Sequence, residues 1–206
     1  MKENNIIAIR KENINAAQKA FANLMNKTEN ILNEDARNNP SLYRHLSSAE
    51  LEECSVEKIK QACKDTPFDA NEVKLISGQR FPDIIAEKYY GIEVKKTKQD
   101  NWKSVGSSIV ESTRDKFVED IYILFGKMGG KYPEFACRPY EDVMYDIAVT
   151  HSPRYLIDME LQKGHTIFDK MNIPYNELRS DRTSIDKVRS YYKQKAYENN
   201  KMEMPW

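Results

Sequence analysis

Residues 81–96 read FPDIIAEKYYGIEVKK. Strand-forming residues flank Tyr89, Tyr90 and Gly91, so this stretch reads as a strand over 81–87, a turn at 89–91 and a strand over 92–97. Successive side chains on a strand point to opposite faces, which puts Ile92 and Val94 on one face and Glu93 and Lys95 on the other. Asp83 stands near the start of the preceding strand, which the short turn folds back alongside. Two carboxylates and one ammonium group therefore converge on one point of a sheet. Ile84, Ile85 and Ala86, with Ile92 and Val94, mark the hairpin as interior. An exposed, ion-paired strand is the competing reading, and it leaves the one-sided gathering of charge unexplained.

Upstream, Ile14, Ala17, Phe21, Leu24, Met25, Ile31 and Leu32 recur at helical spacing and predict a helix over 11–37, stopped by Asn38, Asn39 and Pro40. Ser47 followed by Glu50 is a capping-box pattern for a second helix carrying Leu51, Val56, Ile59 and Ala62. A short strand over 73–76 and a turn at 77–80 lead into the hairpin. Downstream, Ile109, Val110, Thr113 and Phe117 give residues 106–117 helical spacing. The apolar run 121–125 predicts a buried strand. Another strand is expected over 134–138, a short helical piece over 140–147, a loop at 150–154 and a polar helix over 183–199. The order predicts an α/β fold with a mixed central sheet flanked by helices. We read one domain over 1–206, mainly helical over 1–66, with the sheet core and C-terminal helices over 67–206.

The chain has 206 residues, 32 basic and 32 acidic, and no formal net charge. That argues against a protein holding nucleic acid by bulk positive charge alone, and leaves open a cleft with segregated charges. No apolar run approaches the ~20 residues of a membrane helix. The first residues have no secretory apolar segment behind them. Cys54, Cys63 and Cys137 lie far apart, as reduced thiols of a cytoplasmic protein and not as a disulfide frame or zinc site.

Asp83, Glu93 and Lys95 suit phosphodiester hydrolysis. The carboxylates are hard oxygen ligands for Mg2+, which can polarise a phosphoryl oxygen and lower the pKa of a bound water. Lys95 can stabilise developing negative charge, or position the attacking water and help deprotonate it.

Pro82 and Asp83, followed by Glu93, Val94 and Lys95, resemble the signature of the PD-(D/E)xK nuclease superfamily. The element order over 48–125 is similar to its αβββαβ core, and the surrounding sequence resembles type II restriction endonucleases most. The resemblance implies a restriction-endonuclease-like core with a helical N-terminal extension, and a Mg2+-dependent enzyme that cuts double-stranded DNA at a specific sequence as a homodimer. It implies Asp83 and Glu93 as metal ligands and Lys95 as the catalytic lysine. The alternatives are a structure-specific repair or junction nuclease of the same fold, and a non-catalytic DNA-binding protein.

Glu111 is a candidate further metal ligand or a partner for Arg114. Glu50, Glu52 and Glu53 are candidates for a carboxylate from the upstream helix, against the plainer reading of a solvated face. Lys96, Lys98, Lys103, Ser107 and Arg154 are the candidate DNA contacts, with a charged solvated loop as the plainer reading of the lysines. Trp102 can wedge against DNA or pack in the core. Arg138 belongs to a further basic region, and the basic, tyrosine-bearing terminal helix can face DNA or a second copy or be merely amphipathic. His45, His151 and His165 have no partner pattern.

Overall fold

A computed structural model describes residues 5–76, 80–149 and 152–198. Asn5 and Asn13 cap α1 (Ile6–Glu12) and α2 (Ile14–Asn38) through their side-chain oxygens, so the expected long helix is broken at Asn13. Next come α3 (Pro40–His45) and α4 (Ser48–Ala62). The capping box read from sequence opens α4: Ser47 Oγ accepts from Glu50 N at 3.2 Å, and the Glu50 carboxylate accepts from Ser47 N at 2.7 Å.

The strands are β1 (Val73–Leu75), β2 (Ile84–Ala86), β3 (Tyr90–Thr97), β4 (Lys103–Ser108), β5 (Asp120–Lys127), β6 (Glu134–Pro139), β7 (Met144–Ala148) and β8 (Arg154–Asp158). One sheet has the order β1-β2-β3-β5-β6, with β3 and β5 parallel and the other pairs antiparallel. A second sheet has the order β4-β8-β7. The helices α5 (Ile167–Met171), α6 (Tyr175–Ser180) and α7 (Ser184–Glu198) follow. The fold is thus α/β, with a mixed sheet flanked by helices. No described helix is long and apolar enough to cross a membrane.

Contacts divide the described residues into two compact units. The first takes the described residues up to Trp102 together with Thr113–Tyr140; the second takes Lys103–Ser112 and the described residues from Glu141 on. In the first unit, Ile84, Ala86, Ile92, Val94 and Leu124 share a core with Phe21, Leu24 and Leu32 of α2 and Leu51 and Ile59 of α4. The apolar side of the hairpin is therefore the helix-covered side. The outer edge of β6 is closed by α2: Glu29 Oε2 accepts from Cys137 N at 2.7 Å, and Asn33 exchanges hydrogen bonds with the Phe135 backbone at 2.8 and 2.9 Å.

Several expectations are corrected. The helix over 106–117 does not form. Ser104, Gly106, Ser107 and Ser108 favour helix weakly, and β4 pairs instead with β8. Gly106 fits closely there, since a Cβ would lie 3.2 Å from Tyr155 O. The crossover from β3 to β5 therefore carries a strand of the second sheet in place of the helix of an αβββαβ order. The hairpin turn lies at 87–89, with Glu87 at φ 59°, and Gly91 belongs to β3. Residues 140–147 form a single 3-10 turn followed by β7. Residues 77–79 of the expected turn, 150–151 of the expected loop and 199 of the terminal helix lie outside the described residues.

Candidate active site

The strand ladder between β2 and β3 begins at Ile84, opposite Ile92. Beyond that point Val94 N has no strand partner on this side among the described residues, and it donates to Asp83 Oδ2 at 2.8 Å. Pro82 reaches this position because Gly91 has no side chain: a Cβ there would stand 2.4 Å from Pro82 Cγ and 2.8 Å from Val118 Cγ1. Gly91 alternates onto the same face of β3 as Glu93 and Lys95. The glycine thus lets the Asp83 segment lie against the strand that carries the other two residues.

Lys95 Nζ donates to Glu93 Oε1 at 2.5 Å, with side-chain exposures of 23% and 7%. Among the described residues, the second oxygen, Glu93 Oε2, is buried without a hydrogen-bond donor. Burial and the negative charge of neighbouring Asp83 push the Glu93 carboxyl up to about 7, against the opposing pull of Lys95. The site is a buried carboxylate, half satisfied by an ammonium group, with a second carboxylate beside it.

Of the three upstream glutamates, the structure brings Glu52 to this group. Its half-buried carboxyl is pushed up by burial and then by the charge of Asp83, with Lys95 opposing. Glu50 is held in the capping box of α4, which lowers its carboxyl, and Glu53 is exposed. The sequence puts all three on one helix turn and so does not separate them; the tertiary position of α4 does.

The remaining candidates are distributed over both units. Lys96 donates to Leu46 O, tying β3 to the end of α3, and Lys98 is exposed. Trp102 packs on Phe125, ring centroids 5.8 Å apart, with Lys127 Nζ 5.1 Å from its ring. Phe125 is the register partner of Lys95. Lys103, Ser107, Glu111 and Arg154 belong to the second unit. There Lys103 pairs with Asp158 at 3.4 Å, and Arg154 Nε donates to Gly106 O at 3.0 Å. Glu111 is buried at φ 44° and accepts from Tyr175 Oη at 2.7 Å. Ser104, Ser107 and Ser108 lie on a strand, so no helix N-terminus forms there for phosphate.

Among the described residues, no three His, Cys, Asp or Glu side chains gather as a complete metal-ligand set. A hydrated Mg2+ needs only one or two carboxylates and keeps several waters. Asp83 and the bare Glu93 Oε2 fit that requirement. A cavity of about 540 Å3 elsewhere in the unit is lined by Lys60, Phe68 and Glu87, among others, and by none of these site residues.

No protein-family model matches the chain, and no curated protein matches it.

Proposed function

We propose that this protein is a Mg2+-dependent endonuclease of the type II restriction kind, hydrolysing phosphodiester bonds of double-stranded DNA at a specific sequence. The observation that carries the reading is Glu93, a buried carboxylate with one oxygen on Lys95 and the other bare, next to Asp83. A buried anionic oxygen without a partner is costly, and a bound cation would remove that cost.

Asp83 and Glu93 are the residues that would hold Mg2+, and the Glu52 carboxyl is close enough to feel the charges of Asp83 and Lys95. Bound there, the ion would polarise a phosphoryl oxygen and raise the acidity of a coordinated water. Lys95 supplies the charge that a carboxylate cluster lacks. Its ammonium group can donate to a phosphoryl oxygen as negative charge develops, or orient the attacking water and take part in moving its proton. The low exposure of Glu93 strengthens these interactions by excluding solvent.

Cutting both strands of a palindrome takes two active sites, so the reading includes a homodimer. Incubating the protein with intact plasmid and Mg2+ tests it: discrete fragments, lost on chelation, are expected. Cleavage confined to branched or mismatched DNA would favour a structure-specific nuclease, and DNA binding without cleavage a non-catalytic protein.

A further inference from the structure

The segment 113–118 reaches the site's own face of the sheet through Val118. Gly91, Glu93 and Lys95 alternate onto that face, and Val118 occupies the space that a Gly91 side chain would take, 2.8 Å from the Cβ position. The segment is also fastened to the stretch that carries Asp83. Phe81 N donates to Thr113 O at 3.2 Å, Asp115 N donates to Phe81 O at 2.8 Å, and the Arg114 guanidinium stands 5.8 Å from the Phe81 ring centre.

Phe117, beside Val118, is 45% exposed. A single exposed phenyl is ordinary, but two exposed lysines flank this one. Lys88 Nζ is 4.7 Å and Lys116 Nζ 4.8 Å from its ring centre. Of the acids along the segment, Glu119 and Asp120 share Arg10, while Asp115 Oδ1 accepts from Phe117 N at 2.9 Å and keeps its charge. The patch presents an apolar ring with two ammonium groups beside it.

We propose that Lys88, Lys116 and Phe117 form a contact for the DNA backbone beside the active site, with the lysines on phosphates and the phenyl against the sugar between them. This rests on the nuclease reading above. Gly91 and Glu93 are two residues apart on β3, roughly 7 Å. One turn of B-form duplex, ~34 Å, spans both patch and site. The fit to a second copy is poor, because a twofold interface would set this patch against itself, lysine facing lysine.

The test measures binding of a labelled duplex by the chelated protein over a range of salt. Each phosphate contact contributes about 0.9 to the slope of log affinity against log salt. Lys88→Ala with Lys116→Ala should therefore flatten the slope by about 1.8. Phe117→Ala should weaken binding several-fold with the slope unchanged. Wild-type affinity and slope in these variants, while the parent binds and cuts, would overturn the contact and leave the nuclease reading standing. A parent that neither binds nor cuts DNA would overturn both. If Phe117→Ala dissociated a dimer without altering DNA affinity, the patch would be an interface between copies, and the proposal would fall.

Discussion

Asp83 Oδ2 accepts the amide hydrogen of Val94 at 2.8 Å, which fastens the hairpin's first carboxylate to the strand carrying Glu93 and Lys95. The bond has a structural part and a charge part, and substitution can separate them. Asn at position 83 keeps an acceptor for Val94 N but loses the anionic ligand. Asp83→Asn should melt close to wild type and fail to cut. Asp83→Ala should also lose about 1–3 kcal/mol, because it leaves a buried amide unsatisfied. Thermal melts alongside cleavage assays check this; near wild-type cutting by Asp83→Asn would refute the role as ligand.

Glu93 should make metal-free stability depend on pH. Its carboxyl is raised above the ordinary value of 4.5 to about 7, so the folded chain holds this proton more tightly than the unfolded chain. The associated stability is fully present below 4.5 and is lost as pH rises through about 7. The loss is on the order of a few kcal/mol, and Glu52 adds in the same direction. Glu93→Gln should flatten this dependence and raise the melting temperature at pH 8 without metal. Mg2+ competes with the proton, so its stabilisation of wild type should grow between pH 5.5 and 8. A pH-independent Mg2+ effect would count against Glu93 as a ligand.

The upstream glutamates should separate by readout. Glu52→Gln should slow cleavage, and Glu53→Gln should leave it unchanged. Glu50→Gln keeps an acceptor in the capping box, whereas Glu50→Ala should lower the melting temperature through the loosened start of α4. Equal cleavage by the Glu52 and Glu53 variants would remove Glu52 from the site.

Gly91 should tolerate no side chain. A Cβ would meet the rigid Pro82 ring at 2.4 Å and displace the segment that carries Asp83. Gly91→Ala should destabilise by about 1–3 kcal/mol and reduce cleavage beyond what the fraction unfolded explains. Wild-type rates in the folded variant would mean that Asp83 is positioned without this contact.

The hairpin was legible because period-two alternation over Ile92, Glu93, Val94 and Lys95 decides both faces at once, and the Ser47 cap and the 121–125 run were legible for equally local reasons. The 106–117 segment misled because Ile109, Val110, Thr113 and Phe117 imitate helical spacing, while the serines and Gly106 beside them disfavour helix and fit a sheet. Strand β8 carried its own signal in Tyr155 and Ile157, alternating with Leu156 and Asp158, as did α5 in the Thr166–Asp169 capping box. The choice of Glu52, and the packing of Val118 on Gly91, depend on tertiary contacts that no local pattern encodes.

Single-turnover cleavage by Lys95→Ala at saturating Mg2+ tests the central claim most directly. A lysine serving only as an ion-pair partner on a partly exposed strand contributes at most about 1 kcal/mol, so its loss would barely change the rate. A lysine that stabilises charge in the transition state is worth roughly 100- to 1000-fold. The account predicts a folded, DNA-binding variant slowed at least about 100-fold, with poor rescue by Lys95→Arg, whose bulkier fork does not readily release a proton. A Lys95→Ala rate within a few-fold of wild type would contradict it.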